Sequence, residues 1–478
     1  MRKTWFAALL ALVLAGLSGA VPADSSSASG SQRYIVVLAG TQGDDGFTGA
    51  GTTAAAKAAV TAAGGTVAND LSTQIGVLVA ESSLAGFASA LSTSSLVEAV
   101  AGDKRFKGLP DSGPEPSADP AEALQWDMLQ IRVPQAHHLQ AGARSVRVGI
   151  LDSGIDGHHP DFVVDSIGSN VDCRSGRNSV SFLPAGPGVG SPDPCVDNQF
   201  HGTHVAGTVA AQANGIGVVG VAPNVTLVPV KVCDASGYCY ASAVVDGITY
   251  AGDIRLDVIN MSFFVDDDAF QESTEFKCNS DPQQNAFRSA VERAIRYARG
   301  RGVTPVAALG NSDEDLASPS AADPKDCDVV PAESPGVIGV SSLGAQSEKA
   351  SYSNYGVPAN DVAAPGGNGT TGDCRTTILS TLPAGAYGCI QGTSMASPHA
   401  AGVAALIVSR FGKVDKWGDV FLSPTTVEQK LKRTAVDIGL KGYDTCFGNG
   451  RIDALRAVQD DTAQTYDGSA PFCPEYTE

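Results

Sequence analysis

The stretch Gly392-Thr393-Ser394-Met395-Ala396-Ser397-Pro398-His399 precedes an apolar run from Ala400 to Val408. Small residues up to Ser394, then Ala, Val, Leu and Ile, read as a tight turn feeding a buried helix. Such a turn puts the Ser394 hydroxyl at a helix N-terminus, where free N–H groups and the helix dipole favour negative charge. That place suits a nucleophile whose attack creates an oxyanion. A lone serine there is more often only a helix cap. Two upstream motifs turn the reading towards chemistry: Asp152 in Leu151-Asp152-Ser153-Gly154-Ile155-Asp156, and His201 in His201-Gly202-Thr203-His204-Val205-Ala206-Gly207. Together they supply the three side chains of an acyl-transfer triad. An esterase of the α/β-hydrolase type does not fit. It needs Gly-x-Ser-x-Gly with serine ahead of histidine, whereas here Ala396 ends the motif and the order is reversed.

In the order Asp, His, Ser these motifs resemble those of the secreted subtilisin-like serine proteases, the subtilases, and the resemblance runs from about Ala123 to Val458. It implies a serine endopeptidase acting on proteins or peptides, with no cofactor for catalysis. In the family, the residue at Ser394 attacks the peptide carbonyl and the one at His201 takes its proton. The residue at Asp152 fixes the imidazole tautomer and stabilises the imidazolium. His204 competes with His201 for the base role, and the family pattern assigns the first histidine of His-Gly-Thr-His. Asn311, in Ala307-Ala308-Leu309-Gly310-Asn311-Ser312, matches the family's oxyanion-hole asparagine, donating beside the Ser394 N–H. The plainer reading of Asn311 is a residue in a Gly-Asn turn.

The resemblance also carries expectations for binding. Family members follow the corresponding strand with Ser-Leu-Gly-Gly, which pairs with substrate backbone and walls the primary pocket. Here the run is Ser262-Phe263-Phe264-Val265-Asp266-Asp267-Asp268. Ser262, Phe263 and Phe264 are therefore expected at the substrate, in a pocket narrowed or reshaped by bulk, unless the phenylalanines turn into the core. Asp161 and Asn214 match a family calcium site, with a first ligand between Glu122 and Gln125, and oxygen-only ligation suits a structural Ca²⁺. A catalytically inactive binding protein on the same fold is the other reading. The intact set Asp152, His201, Asn311 and Ser394 argues against it.

Strands and helices alternate around these residues. Val146–Leu151 reads as a strand with Asp152 at its carboxyl end, where open parallel sheets present functional groups. A helix from His204 to Ala213 follows, then a strand over Val225–Val232, a helix over Ala241–Ala251 and a strand over Val258–Ser262. Next come a helix over Asn285–Arg301 and strands over Val303–Ala308 and Val337–Val340. This alternation predicts an α/β fold, a parallel sheet covered by helices on both faces, as the resemblance also implies. The peptidase domain is expected over 123–459, with a polar tail over 460–478.

The residues before it read differently. Residues 1–23 carry Arg2 and Lys3, an apolar run from Trp5 to Leu17 and then small residues, the pattern of a secretory signal peptide. Over 32–107 the order is strand, helix, strand, strand, helix, strand: Tyr34–Leu38, Thr52–Ala63, Thr66–Val67, Ile75–Val79, Ser83–Leu91 and Leu96–Val100, with a turn at Asn69-Asp70. That is a small ferredoxin-like α+β domain, and its place resembles the inhibitory propeptide ahead of many subtilase domains. An independent binding domain is the alternative. Residues 108–122, rich in Pro, Gly, Ser and Asp, read as a linker in or near which processing falls.

The chain of 478 residues is 43% hydrophobic and 17% charged, with room for more than one domain. Its net charge of −19 argues against nucleic acid as partner, and no later apolar run has membrane-span length. An exported monomer is expected. The ten cysteines begin only at Cys173, and an even number in an exported chain suggests disulfides. Nearest neighbours are expected to pair, above all Cys233 with Cys239. The spacings do not suit zinc.

Overall fold

The computed structural model describes residues 30–43, 46–49, 53–109, 124–164, 168–183, 190–263, 282–317, 329–414, 420–471 and 473. The signal-like segment 1–23, most of the linker 108–122 and residues 264–281, including Phe264, lie outside the described residues.

The N-terminal domain runs β1 (Gln32–Leu38), a hairpin of β2 (Gly40–Gly43) and β3 (Gly46–Gly49), α1 (Thr53–Ala62), β4 (Thr66–Leu71), the one-turn α2 (Ser72–Ile75), β5 (Val77–Ser82), α3 (Phe87–Ser92), β6 (Val97–Gly102) and β7 (Arg105–Lys107). Its antiparallel sheet has the order β4-β5-β1-β6. Besides the unexpected β2–β3 hairpin and β7, the stretch from Asn69 to Ile75 departs from the sequence expectation. Asn69 and Asp70 lie inside β4, whose register shifts between Val67 and Asn69, rather than in a turn. The Asp70 carboxylate instead accepts from Ser72 N at 3.1 Å and starts α2. Ile75 therefore ends a helix, and Gly76, at φ 64, turns the chain into β5.

The second domain comprises α4 (Trp126–Gln130), α5 (Val133–His137), β8 (Arg147–Asp152), β9 (Arg177–Asn178), α6 (His201–Ala210), β10 (Thr226–Lys231), β11 (Tyr238–Tyr240), α7 (Ala241–Asp253), β12 (Val258–Met261), α8 (Pro282–Gly300), β13 (Thr304–Ala308), β14 (Ile338–Leu343), β15 (Val362–Pro365), a hairpin of β16 (Ile378–Leu382) and β17 (Ala386–Ile390), α9 (Thr393–Phe411), α10 (Pro424–Thr434) and α11 (Ala454–Gln459). Seven strands form one parallel sheet in the order β9-β10-β8-β12-β13-β14-β15. Alternate side chains face opposite layers, as the pleat requires. Val148, Ile150, Val258 and Val306 pack with α6 and α9. Leu151, Ile259, Met261 and Ala307 pack with α7 and α8. Both faces are covered, which is why the strands read as continuous apolar runs. The order reverses between β10 and β12 on either side of β8, so β8 marks the switch point where such sheets open a crevice.

The N-terminal domain completes one of these cores. Tyr34, Val36 and Leu38 pack inward on α1 and α3, whereas Ile35 and Val37 join the core of α7 and α8. Polar contacts frame that interface. Asp103 accepts from Ser242 N, in the first turn of α7, at 2.9 Å, and Arg293 of α8 bonds Glu98 at 2.7 Å and the Leu38 carbonyl at 3.0 Å.

Four disulfides are described, Cys173–Cys195, Cys233–Cys239, Cys374–Cys389 and Cys446–Cys473. All join nearest neighbours, as expected, and Cys278 and Cys327 lie outside the described residues. The last of the four ties the segment after α11 back to the body. Among the described residues no helix is long and apolar enough to cross a membrane.

Candidate active site

Asp152 ends β8 and is fully buried. Both of its carboxylate oxygens lie 3.0 Å from His201 Nδ1, and Ser153 N donates to Oδ1 at 2.8 Å. His201 opens α6, whose start is held by a second carboxylate. Asp197 accepts from Thr203 N at 2.9 Å, Thr203 Oγ1 at 2.7 Å and Ser153 Oγ at 2.9 Å. Gly202 explains the glycine of the motif, because a Cβ there would stand 2.1 Å from the Gly154 carbonyl. Only glycine lets the first turn of α6 press against the loop after β8, and that approach carries the imidazole to the carboxylate. A carboxylate on Nδ1 fixes the tautomer with the proton there and leaves Nε2 able to accept one.

His204 differs in kind. It is fully buried and its Nε2 donates to the carbonyls of Ile378 and Gly388 at 3.1 and 3.2 Å. Burial, and next the nearby His201, push its pKa down to about 3. It is a neutral pin between α6 and the β16–β17 hairpin.

Ser394 is the second residue of α9, 6% exposed. Gly392, at φ 152, makes the turn into the helix. The Ser394 hydroxyl donates to the Ser262 carbonyl at 3.0 Å, and among the described residues no hydrogen bond joins it to His201. Sites of this kind often tighten only once substrate is bound. Pro398, inside α9, has no N–H to return to the Ser394 carbonyl four residues earlier. Ser262 Oγ supplies the missing donor at 2.7 Å. Asn260 donates to Ser262 Oγ at 2.8 Å and accepts from Ser397 Oγ at 2.6 Å. The proline of the motif thus frees a carbonyl by which the end of β12 is locked to the serine.

Asn311 accepts from Thr393 N at 2.9 Å and Thr393 Oγ1 at 2.8 Å through Oδ1. These donors settle which way the amide faces and leave Nδ2 free to point elsewhere. A point one Cβ length off Gly392 lies 3.5 Å from Asn311 Nδ2 and 3.6 Å from Ser394 N. Both nitrogens therefore lie near one point beside the serine, where an oxyanion hole would need two donors.

His201, Asn311 and Ser394 line one cleft of about 290 Å³ together with Lys107, Gly108 and Leu109 from the end of the N-terminal domain. Strand β7 pairs antiparallel with β11, Lys107 opposite Tyr238, Phe106 opposite Cys239 and Arg105 opposite Tyr240. Leu109 N continues onto the Gly237 carbonyl at 3.2 Å. The sequence reading missed this strand, although its polar–apolar–polar alternation is a weak strand signal.

Comparison with known proteins decides the family. Residues 143–450 match the Subtilase family, Peptidase S8. The chain belongs to the subtilase family. Subtilisin NAT of Bacillus subtilis subsp. natto is 33% identical over 339 residues, 71% of this chain and 72% of that protein. Subtilisin of Bacillus pumilus is also 33% identical, with all of its length covered by 71% of this chain. Among solved structures, the epidermin leader peptide processing serine protease of Staphylococcus aureus matches with a TM-score of 0.67 at 21% identity, covering 91% of this chain and 100% of that one. The subtilase is a serine endopeptidase on the subtilisin-like α/β fold.

In this subtilase Ser262 is buried behind Ser394. Phe263 is fully buried, in the core of α7 and α8, with its ring 6.2 Å from that of Phe106. Its bulk meets the N-terminal domain instead of open solvent, and Phe264 lies outside the described residues. At the expected calcium position Asp161 is fully buried, and burial pushes its pKa up to about 6 although Val218 N donates to Oδ2 at 2.8 Å. Among the described residues its Oδ1 has no hydrogen-bond partner, while the Tyr387 hydroxyl and the Asn214 side chain act with Val218 N to favour the charged form. A buried carboxylate oxygen left bare fits a cation there. Asn214 donates to the Pro160 and Val163 carbonyls at 3.2 and 3.1 Å, and its Oδ1 accepts from Ile216 N at 3.2 Å. Gln125 is engaged both ways with the Val219 backbone. Among the described residues no three His, Cys, Asp or Glu side chains cluster, so any cation here would rest on Asp161, amide oxygens and backbone carbonyls.

Proposed function

We propose that this subtilase cleaves proteins through Asp152, His201 and Ser394 by way of an acyl-enzyme, and that it is exported as a zymogen which processes itself. The observation that carries the reading is His201, held through Nδ1 at 3.0 Å from both oxygens of the buried Asp152 and lining one cleft with Ser394 and Asn311. Ser394 Oγ attacks the substrate carbonyl and passes its proton to His201 Nε2. The oxyanion is met by Asn311 Nδ2 and Ser394 N–H. Collapse expels the amine, which takes the proton from His201, and water repeats the sequence to release the acid. Asp152 holds the ring and stabilises the imidazolium. For this the Ser394 hydroxyl turns from the Ser262 carbonyl towards His201 when substrate enters.

The N-terminal domain acts as the inhibitor, its sheet seated on α7 and α8 and its last residues in the cleft. Cleavage falls within 108–122, and residues 1–23 direct export. A structural Ca²⁺ would be held by Asp161 with Asn214 nearby, and would supply positive charge to the carboxylate oxygen that no hydrogen bond reaches among the described residues, without taking part in catalysis.

A fluorophosphonate probe tests the catalytic part. The processed enzyme should be labelled on Ser394, and His201→Ala should abolish labelling in a folded protein. A processed, folded enzyme that takes no label would overturn the reading in favour of an inactive binding protein.

A further inference from the structure

The cleft holds one more determinant, at Gly108. This residue has no positive φ, so its backbone would accept any side chain. Space excludes one. A Cβ at Gly108 would stand 2.7 Å from Cys239 Sγ, and 3.2 Å from both the Phe106 ring edge and Phe263 Cβ. A free cysteine could swing its thiol aside, but Cys239 is bonded to Cys233 across a two-strand bridge, and both are fully buried. The sulfur is a fixed wall.

On either side the docked tail is held as firmly. Phe106 is 1% exposed, its ring 6.2 Å from Phe263 and 6.3 Å from Phe287. Leu109 is 3% exposed and lines the cleft with His201 and Ser394. Gly237, at φ 77, closes over it, and a Cβ there would lie 3.1 Å from the Leu109 carbonyl oxygen. The tail therefore offers two filled apolar sites with one glycine-only site between them.

We propose that the Cys233–Cys239 disulfide is a specificity element, which restricts the residue in Gly108's place to glycine. The enzyme then prefers polypeptides of the form aromatic-x-Gly-Leu, cut on the carboxyl side of the leucine. This rests on the reading that the tail lies in the cleft as a substrate does. In the chain's own sequence Pro110 follows Leu109, so the test peptides carry serine there.

The test uses the enzyme produced from the full chain, after its hydrolysis of casein has been established. Two internally quenched peptides are compared, Arg-Phe-Lys-Gly-Leu-Ser-Ala and the same peptide with alanine for glycine. The expected result is a kcat/KM higher for the glycine peptide by about tenfold or more, the scale on which a pocket discriminates a single carbon, with mass spectrometry placing the cut after leucine. C233A/C239A should accept alanine nearly as well as glycine. Casein hydrolysis with kcat/KM values equal within about threefold would overturn the inference while leaving the serine peptidase reading intact. Failure to cut casein would strike that reading instead. A folded C233A/C239A that keeps the full preference would overturn the role of the disulfide. Should that variant not fold, Gly108→Ala in the full chain gives a second reading. A tail that no longer fits should leave measurable casein activity before processing, and unchanged self-inhibition would contradict the wall.

Discussion

Replacing His204 separates structure from catalysis in the His-Gly-Thr-His motif. In His204→Ala the carbonyls of Ile378 and Gly388 lose a shared donor inside the core, and the imidazole leaves a void. A buried acceptor stripped of its partner costs about 1–3 kcal/mol, so the loss should be about 2–5 kcal/mol with the void included. In a domain of this size each kcal/mol moves Tm by about 2–4 °C, which predicts a fall of roughly 5–20 °C. Specific activity of the protein that remains folded should fall less than about tenfold, against losses of about 10⁴–10⁶ for His201→Ala. The pH dependence adds a signature. The folded pKa of His204 is about 3 against an ordinary 6.5, so between those values the unfolded chain binds the extra proton. The stability tied to a neutral His204 is complete above about 6.5 and is lost as pH falls towards 3. His204→Gln, which keeps an N–H near the same place without titrating, should recover part of the Tm and flatten that acid limb. Thermal melts across pH, paired with kcat/KM, decide the matter. Equal catalytic losses in folded His201→Ala and His204→Ala would refute this assignment.

Two further outcomes follow from the site. Asn311→Ala should lower kcat by about 10²–10³ with little change in KM or Tm, a scale established with subtilisin itself, and a change confined to KM would show that the amide binds ground state instead. At Asp161, whose pKa is raised to about 6, stability without calcium should decline as pH rises through about 6, because the folded state resists losing that proton. Added Ca²⁺ should restore it at pH 8 and chelator should remove it, whereas Asp161→Asn should respond to neither; a wild-type melt indifferent to chelator at pH 8 would contradict the calcium site.

Much of this was legible because single residues carried geometry. The small residues before Ser394 require the turn at Gly392, and Gly202 permits the approach of His201 to Asp152. The run Tyr34–Leu38 is apolar throughout for a reason visible only in three dimensions, since one face packs on α1 and α3 and the other on α7 and α8. What stayed hidden depends on distant partners. Strand β7 has three residues and exists only through its pairing with Tyr238–Tyr240. Spacing alone left His201 and His204 as equals and the family pattern pointed to the first; in the structure Asp152 meets His201, whereas His204 meets the carbonyls of the β16–β17 hairpin, far along the chain. The bulk of Phe263 was legible as a departure from Ser-Leu-Gly-Gly, but its contact, Phe106 of the N-terminal domain, was not.

The most direct measurement is the fate of the full-length chain carrying Ser394→Ala, expressed in a protease-poor host beside the wild type. Alanine fits the same small-residue turn, so folding should be preserved. The variant should accumulate with its N-terminal domain still covalently joined, whereas the wild type should yield a shorter chain beginning within about 108–123. N-terminal sequencing and intact mass read the difference. The same shortened N-terminus in both proteins would mean that the cut is not self-made, and would contradict the claim that Ser394 drives maturation.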